Sequence, residues 1–242
     1  MNAFFLSSFP SRGEERLLLQ NEVTNNKLFK SKTTKMKSLS LVIVDTINPQ
    51  GACRAVETTW QTLCHIRSIE KVHWISNEAY PSSTAMPVEW TRIDPIQVMP
   101  QDYNQVVFEL LPKIVSEDFS LTIQSDGYAV NPQAWSDAFL FYDYIGAVWP
   151  WEHHKVGNGG FSLRSQQLQR TILELGLKAG DLPEDFVICR ELRKEFEDRG
   201  CVFAPPELAD RFSIEWNMTS PWLGKSLGFH GDHEVKTHYK TS

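Results

Sequence analysis

No stretch of the 242 residues approaches the roughly 18 consecutive apolar positions that a membrane-spanning helix needs. The N-terminal "AFFL" is shorter than the roughly 7–15 residues of a signal-peptide core, so a cytoplasmic protein is expected. Cysteine is scarce and scattered. Cys53, Cys64, Cys189 and Cys201 lie ten or more residues apart without a Cys-x-x-Cys pair, a spacing that fits reduced, buried thiols better than zinc or a disulfide framework. Positive charge is also in deficit. A net charge of −6 argues against a nucleic-acid partner, whose phosphates demand a basic surface. There is no internal repeat, no P-loop and no spaced-glycine dinucleotide fingerprint.

What is present divides the chain in two. Residues 1–38 carry seven Lys/Arg against three Glu, which leaves about −10 for the remainder. Five lysines in "KLFKSKTTKMK" (27–37), without apolar periodicity, read as a solvated linker. Residues 1–37 are therefore expected to be a basic, flexible arm and 38–242 a single domain. Contact of the arm with an anionic membrane surface is the alternative, which would make the protein membrane-peripheral. A third reading starts translation at Met36, because "MKSLSLVIVDT" opens directly into a strand.

With 41% apolar and 12% aromatic side chains, the body can bury a full core. Strands are expected at 38–46, 71–76, 88–94, 119–125 and 142–148, and helices at 51–66, 103–115, 166–178 and from 182–186 to Gly200. This alternation predicts an α/β fold with a mostly parallel central sheet flanked by helices. "FSLTIQS" (119–125) is apolar enough to lie centrally, and it delivers Asp126 to the carboxyl edge, where open α/β sheets bind ligands.

Four groups of residues could carry chemistry. Asp126, backed by Gly127, could hold a divalent cation against phosphate oxygens, or could close an Asx turn. In "GNGGFSLRS" (157–165), Gly157, Gly159 and Gly160 permit close approach of a ligand and Asn158 could hydrogen-bond it, although a bulge explains the glycines equally. Arg164 could pair with phosphate or stand on the surface. Glu184 and Asp185 follow Pro183 at a helix start, where acids ordinarily offset the dipole but could also serve as a general base. His230, in the glycine-flanked "GFHGDH", could ligate metal. His233, His153 and His154 are expected to face solvent. Trp149, Trp151, Phe161, Trp216 and Trp222 are core residues or stacking surfaces.

The motifs "QSDGYAVNPQAW", "YDYIGAVW", "VGNGGFSLRS", "PEDFVICR" and "FSIEW…GFHG" resemble a bacterial family of glycosyltransferase-like domains that look like GT-A sugar-nucleotide transferases. The resemblance covers roughly residues 38–232. It implies a GT-A-like fold, with a Rossmann-like nucleotide-binding half and an acceptor half. Asp126 becomes the counterpart of the last carboxylate of the DxD motif, which binds Mn²⁺ or Mg²⁺ with the donor diphosphate. Gln124 stands where the first Asp would be, with Ser125 between them. His230 matches the late histidine that completes the metal site, and Asp185, preceded by Glu184, matches the base of inverting members. Asn158, Gly159 and Gly160 match the segment lying against sugar, and Asp45 and Thr46 the cradle of the nucleotide base.

The function implied is transfer of a hexose from a nucleotide-sugar donor, with UDP the foremost candidate, to a saccharide or glycolipid acceptor in polysaccharide or glycoconjugate synthesis, with inversion if Asp185 is the base and a retaining reaction as the alternative if it is not. Two alternatives stand beside it. One is a non-catalytic sugar- or nucleotide-binding paralogue, because the first Asp is replaced; the other is a metal-dependent hydrolase that uses the histidines.

Overall fold

The computed structural model describes residues 36–81, 85–152, 156–231 and 233–239. Residues 1–35, His153 and His154 lie outside these, as does the side chain of His233, so their expected roles stay as read from sequence.

The first half is a strand-and-crossover unit. β1 (Leu39–Val44) is buried along its whole length and leads to α1 (Pro49–Leu63). Asn48 caps that helix by accepting the Gly51 N–H at 3.0 Å, and Pro49 fits the first turn because no N–H is needed there. Ala52, Ala55, Val56, Thr59 and Leu63 recur at helical spacing and form its buried face. β2 (Ile69–Ser76) and β3 (Val88–Arg92) follow, then α2 (Gln101–Gln105) and α3 (Leu111–Ile114), joined by a π turn over Val106–Leu110. Pro112 has no N–H to offer the preceding turn. The Leu111 N–H reaches back five residues to the Val106 carbonyl, and this wider turn lets the helix continue through the proline.

β4 (Phe119–Ile123) is wholly buried and is followed by β5 (Gly127–Ala129). β6 (Tyr144–Ile145) and β7 (Ser162–Ser165) precede α4 (Gln166–Leu175), which Ser165 caps at Leu168 N–H and Gly176 ends at φ +64°. The remaining elements are α5 (Glu184–Phe186), a π turn over Val187–Glu191, α6 (Arg193–Asp198), α7 (Pro206–Phe212), β8 (Ser213–Ile214), β9 (Gly228–His230) and α8 (His233–Lys236).

Six strands form the main sheet in the order β3-β2-β1-β4-β7-β6. The four at the β3 side run parallel, while β7 is antiparallel to both β4 and β6. The protein is thus α/β with a mostly parallel central sheet flanked by helices, and β4 lies inside it between β1 and β7. One expectation is corrected. The strand at 142–148 shrinks to Tyr144–Ile145, where Gly146 packs against the Gly157 carbonyl with no room for a Cβ. The helix α7 was not foreseen.

A second sheet, β5-β9-β8, was not expected. β9 pairs antiparallel with β5, setting His230 opposite Gly127, and parallel with β8, setting Phe229 beside Ile214. This small sheet carries the end of the chain back to the tip of β4. Among the described residues no helix is long and apolar enough to cross a membrane.

Candidate active site

β4 ends in a tight reversal. The N–H groups of Gln124 and Gly127 donate to each other's carbonyls at 2.8 and 3.0 Å, leaving Ser125 and Asp126 at the tip. The Asp126 carboxylate turns toward His230, with Oδ1 at 3.6 Å from Nε2. The glycine behind it is explained by the same imidazole: a Cβ on Gly127 would lie 2.6 Å from His230 Cδ2. A Cβ on Gly160 would likewise overlap the ring outright, so both glycines leave room for the imidazole.

Four polar side chains surround that ring. Nε2 faces Gln124 Oε1 at 3.1 Å as well as Asp126, while Nδ1 faces Glu215 Oε1 at 3.0 Å and Asn158 Nδ2 at 2.8 Å. Gln124 is itself oriented, since its amide donates to the Tyr103 hydroxyl at 3.3 Å. Burial alone would lower the His230 pKa, but the hydrogen bond to Glu215 and the charges of Glu215 and Asp126 outweigh it, so the net shift is upward. With the proton on Nδ1, Glu215 accepts it and Nε2 presents its lone pair toward Gln124 and Asp126; with Nδ1 bare, the Asn158 amide donates to it instead. Sequence reasoning missed Glu215. Its signal was available, an isolated carboxylate between Ile214 and Trp216 at a strand end, the same pattern that singled out Asp126.

One imidazole nitrogen, one amide oxygen and one carboxylate oxygen therefore converge. Cis ligands of an octahedral cation with bonds of about 2.1 Å lie about 3 Å apart; the 3.1 Å between Nε2 and Gln124 meets that spacing, the 3.6 Å to Asp126 exceeds it, and Glu215 supplies a carboxylate of the kind that orients a ligating histidine. Among the described residues no cluster of three or more His, Cys, Asp or Glu is placed to hold a metal, so the donor set depends on the Gln124 amide.

Beside this group, Asp45, Thr46, Tyr103, Gln124, Ser125 and Asp126 line a cavity of about 210 Å³. Asp45 Oδ1 accepts the N–H groups of Ile47 and Asn48 at 2.8 and 2.6 Å, and Thr46 Oγ1 accepts that of Ile96 at 2.9 Å. Both residues shape the rim while fixing its loops. A wider hollow of about 770 Å³ between Arg92 and Lys113 adjoins it through Ile96 but holds none of the expected site residues.

The glycine-rich segment packs against His230. Asn158 adopts φ +64°, alone among described non-glycine residues, a left-handed conformation that Asn tolerates better than most. Its carbonyl accepts the Tyr144 hydroxyl at 2.8 Å and its Oδ1 accepts the Phe161 N–H at 3.1 Å. The next N–H, that of Gly159, donates to Asp185 Oδ2 at 3.0 Å, while Asp185 Oδ1 accepts from Phe186 at 2.8 Å. Burial, reinforced by the neighbouring Glu184 charge, pushes the Asp185 carboxyl up to about 7 against the two hydrogen bonds and Arg164. A carboxylate with this pKa exchanges a proton near neutral pH.

Two assignments are corrected here. Arg164, expected at phosphate or on the surface, has no exposed area and donates from Nη2 to Glu184 Oε1 at 2.7 Å and from Nε to Ser162 Oγ at 3.0 Å. Glu184, expected to share catalysis with Asp185, is only 3% exposed and is held in that ion pair. A Cβ at Gly159 would collide with Glu184 Oε1, so the glycine lets the backbone lie directly on the pair. Both residues support the floor of the site from beneath.

Fold and site together define an α/β protein with a polar centre at the carboxyl edge of its parallel strands. Residues 101–230, more than half the chain, match the family described as protein of unknown function (DUF5672), and the chain belongs to that family. No curated protein matches it. Among solved structures, the chain is similar to the apo-form glycosyltransferase GlyE of Streptococcus pneumoniae TIGR4, at 15% identity and TM-score 0.48 over 82% of this chain. It spans about half of that protein, 55%. It is also similar to the galactosyltransferase LgtC in complex with donor and acceptor sugar analogs (11% identity, TM-score 0.49, 81% of this chain and 87% of that one). A glycosyltransferase involved in glycosylation of the major capsid of PBCV-1 gives 13% identity and TM-score 0.47 over 84% of this chain and 98% of that one.

Proposed function

We propose that the protein is an inverting glycosyltransferase that moves a hexose from a nucleotide-sugar donor, foremost a UDP-sugar, to a saccharide acceptor. The observation that carries this reading is the convergence of Gln124 Oε1, Asp126 Oδ1 and His230 Nε2 beside the cavity bounded by Asp45 and Thr46. Asp126, His230 and Gln124 would hold Mn²⁺ or Mg²⁺ there. Such a cation supplies positive charge to the diphosphate as it departs.

The protein's own part is positioning and proton transfer. An acceptor hydroxyl gives its proton to Asp185, its oxygen bonds to the anomeric carbon, and the bond to the nucleoside diphosphate breaks with both electrons leaving on the phosphate oxygen. The Asp185 pKa of about 7 supports this role, because the group is partly ionised at neutral pH and can then keep the proton.

The test is a thermal-shift screen of UDP, GDP, CMP and dTDP, each with and without Mn²⁺, on wild type and Asp126→Ala. One nucleotide is expected to raise the midpoint only with Mn²⁺ and only in wild type. No shift with any of the four would sink the reading. Gln124 favours a second reading, a non-catalytic nucleotide-sugar binder, because an amide brings no charge to the cation. Binding of a donor with no turnover under any acceptor would select it.

A further inference from the structure

Next to the site lies a pair of tryptophans whose exposure the fold does not require. Trp151 and Trp216 are 55% and 58% exposed, yet their rings meet edge to face with centroids 5.5 Å apart. They come from distant segments, each fixed by a neighbour that reaches inward. Trp149 is buried against Phe186, next to Asp185, and Glu152 is paired with Arg190 at 3.4 Å, so the segment carrying Trp151 is pinned on both sides. Trp216 directly follows Glu215, whose carboxylate meets His230. The inward residues serve the site and the outward ones form a corner beside it.

The residues next to both tryptophans line a cavity of about 310 Å³, formed by Val148, Pro150, Pro206, Glu207, Asp210 and Asn217. Pro150 adjoins Trp151 and Asn217 adjoins Trp216 in sequence. Asn217 donates to both Asp210 carboxylate oxygens, at 3.2 and 2.9 Å, which aims the carboxylate and leaves acceptor capacity on each oxygen. Exposed indole faces with fixed carboxylate and amide groups alongside suit one chemistry. A pyranose offers an apolar C–H face for stacking and a rim of hydroxyl donors for carboxylates.

We infer that Trp151 and Trp216, with the cavity of Glu207, Asp210 and Asn217, form the subsite that docks the saccharide acceptor. This rests on the transferase reading and adds to it the surface that presents the sugar hydroxyl. The preferred acceptor is a neutral or amino-group-bearing saccharide, since Glu207 and Asp210 would repel an anionic sugar.

Saturation-transfer difference NMR tests it with methyl β-galactoside, methyl β-glucoside, lactose, chitobiose and maltose, each titrated against wild type, Trp151→Ala, Trp216→Ala and Trp216→Phe. At least one probe is expected to bind wild type saturably. Its Kd should rise about tenfold in each alanine variant, as the loss of about one aromatic stacking contact predicts, and recover partly in Trp216→Phe. Both rings are exposed, and a thermal midpoint on each variant checks folding. Saturable binding that the alanine variants leave unchanged would overturn the inference, as would no binding of any probe. UDP binding by wild type, measured separately, distinguishes the failures: UDP binding without saccharide binding removes the subsite alone, and the reverse removes the transferase reading while the subsite stands.

Discussion

Asp185 is the residue whose chemistry is easiest to isolate. Asp185→Asn is expected to lower turnover by about 10²–10⁴ while leaving nucleotide binding intact, as measured by initial rates alongside thermal shifts. In wild type, kcat/KM should rise with pH through a midpoint near 7, because the reactive form is the carboxylate. The stability effect has the opposite sign. A folded pKa of about 7, above an unfolded value of about 3.9, contributes stability that is fully present below pH 4 and is lost as pH rises through 7. Melting curves of wild type and Asp185→Asn should therefore diverge between pH 4 and 7, with the asparagine variant gaining, and run parallel above that. Gly160→Ala tests the glycine that lies against His230. It must displace the His230 ring, so it should abolish Mn²⁺-dependent nucleotide stabilisation in thermal-shift measurements while the protein remains folded.

At the scale of elements, the Arg164–Glu184 pair ties β7 to α5 with no exposed area on the arginine. Replacing Arg164 with Met strands a buried carboxylate and is expected to cost about 3–5 kcal/mol in urea unfolding, whereas Arg164→Met with Glu184→Leu should recover much of that. Of the main-sheet strands, β1, β2 and β4 were legible because they are largely buried apolar runs with β-branched residues, which read as strands without tertiary knowledge; β7, four residues within a glycine-rich segment, was not foreseen. β5, β8 and β9 were not. They are "GYA", "SI" and "GFH", two or three residues each, too short for periodicity, and β5 and β9 pair across about a hundred residues of chain. Without that sheet His230 had no visible partners, and Glu215 no visible purpose. α7 was readable in principle, since Pro206 and Glu207 are a helix-start signal that the surrounding loop-like residues masked. Arg164 misled for a different reason: a lone arginine in a strand carries no sequence mark of whether its partner is phosphate or Glu184.

For the whole molecule, the first half supplies the Asp45–Thr46 rim and the Asp126 tip, and the second supplies His230, Glu215 and Asp185, so the site exists only when both are folded together. Within the described residues, the Lys37 ammonium donates to the Leu140 carbonyl at 2.6 Å and lies 4.9 Å from the Phe119 ring centroid. On the reading of the lysine-rich segment as a solvated linker, a chain starting at Met36 is expected to keep the thermal midpoint and nucleotide response of the full sequence, compared by the same melting experiment. A drop of several degrees would assign residues 1–35 a part in the fold.

The stretch Asn158–Gly160 has one further consequence. Gly160 lies against the imidazole and Gly159 holds the Asp185 carboxylate through its N–H, so two consecutive residues set the spacing between the proposed base and the proposed cation ligand. A side chain at either position would shift one of those groups relative to the other, so a single peptide unit keeps both in register.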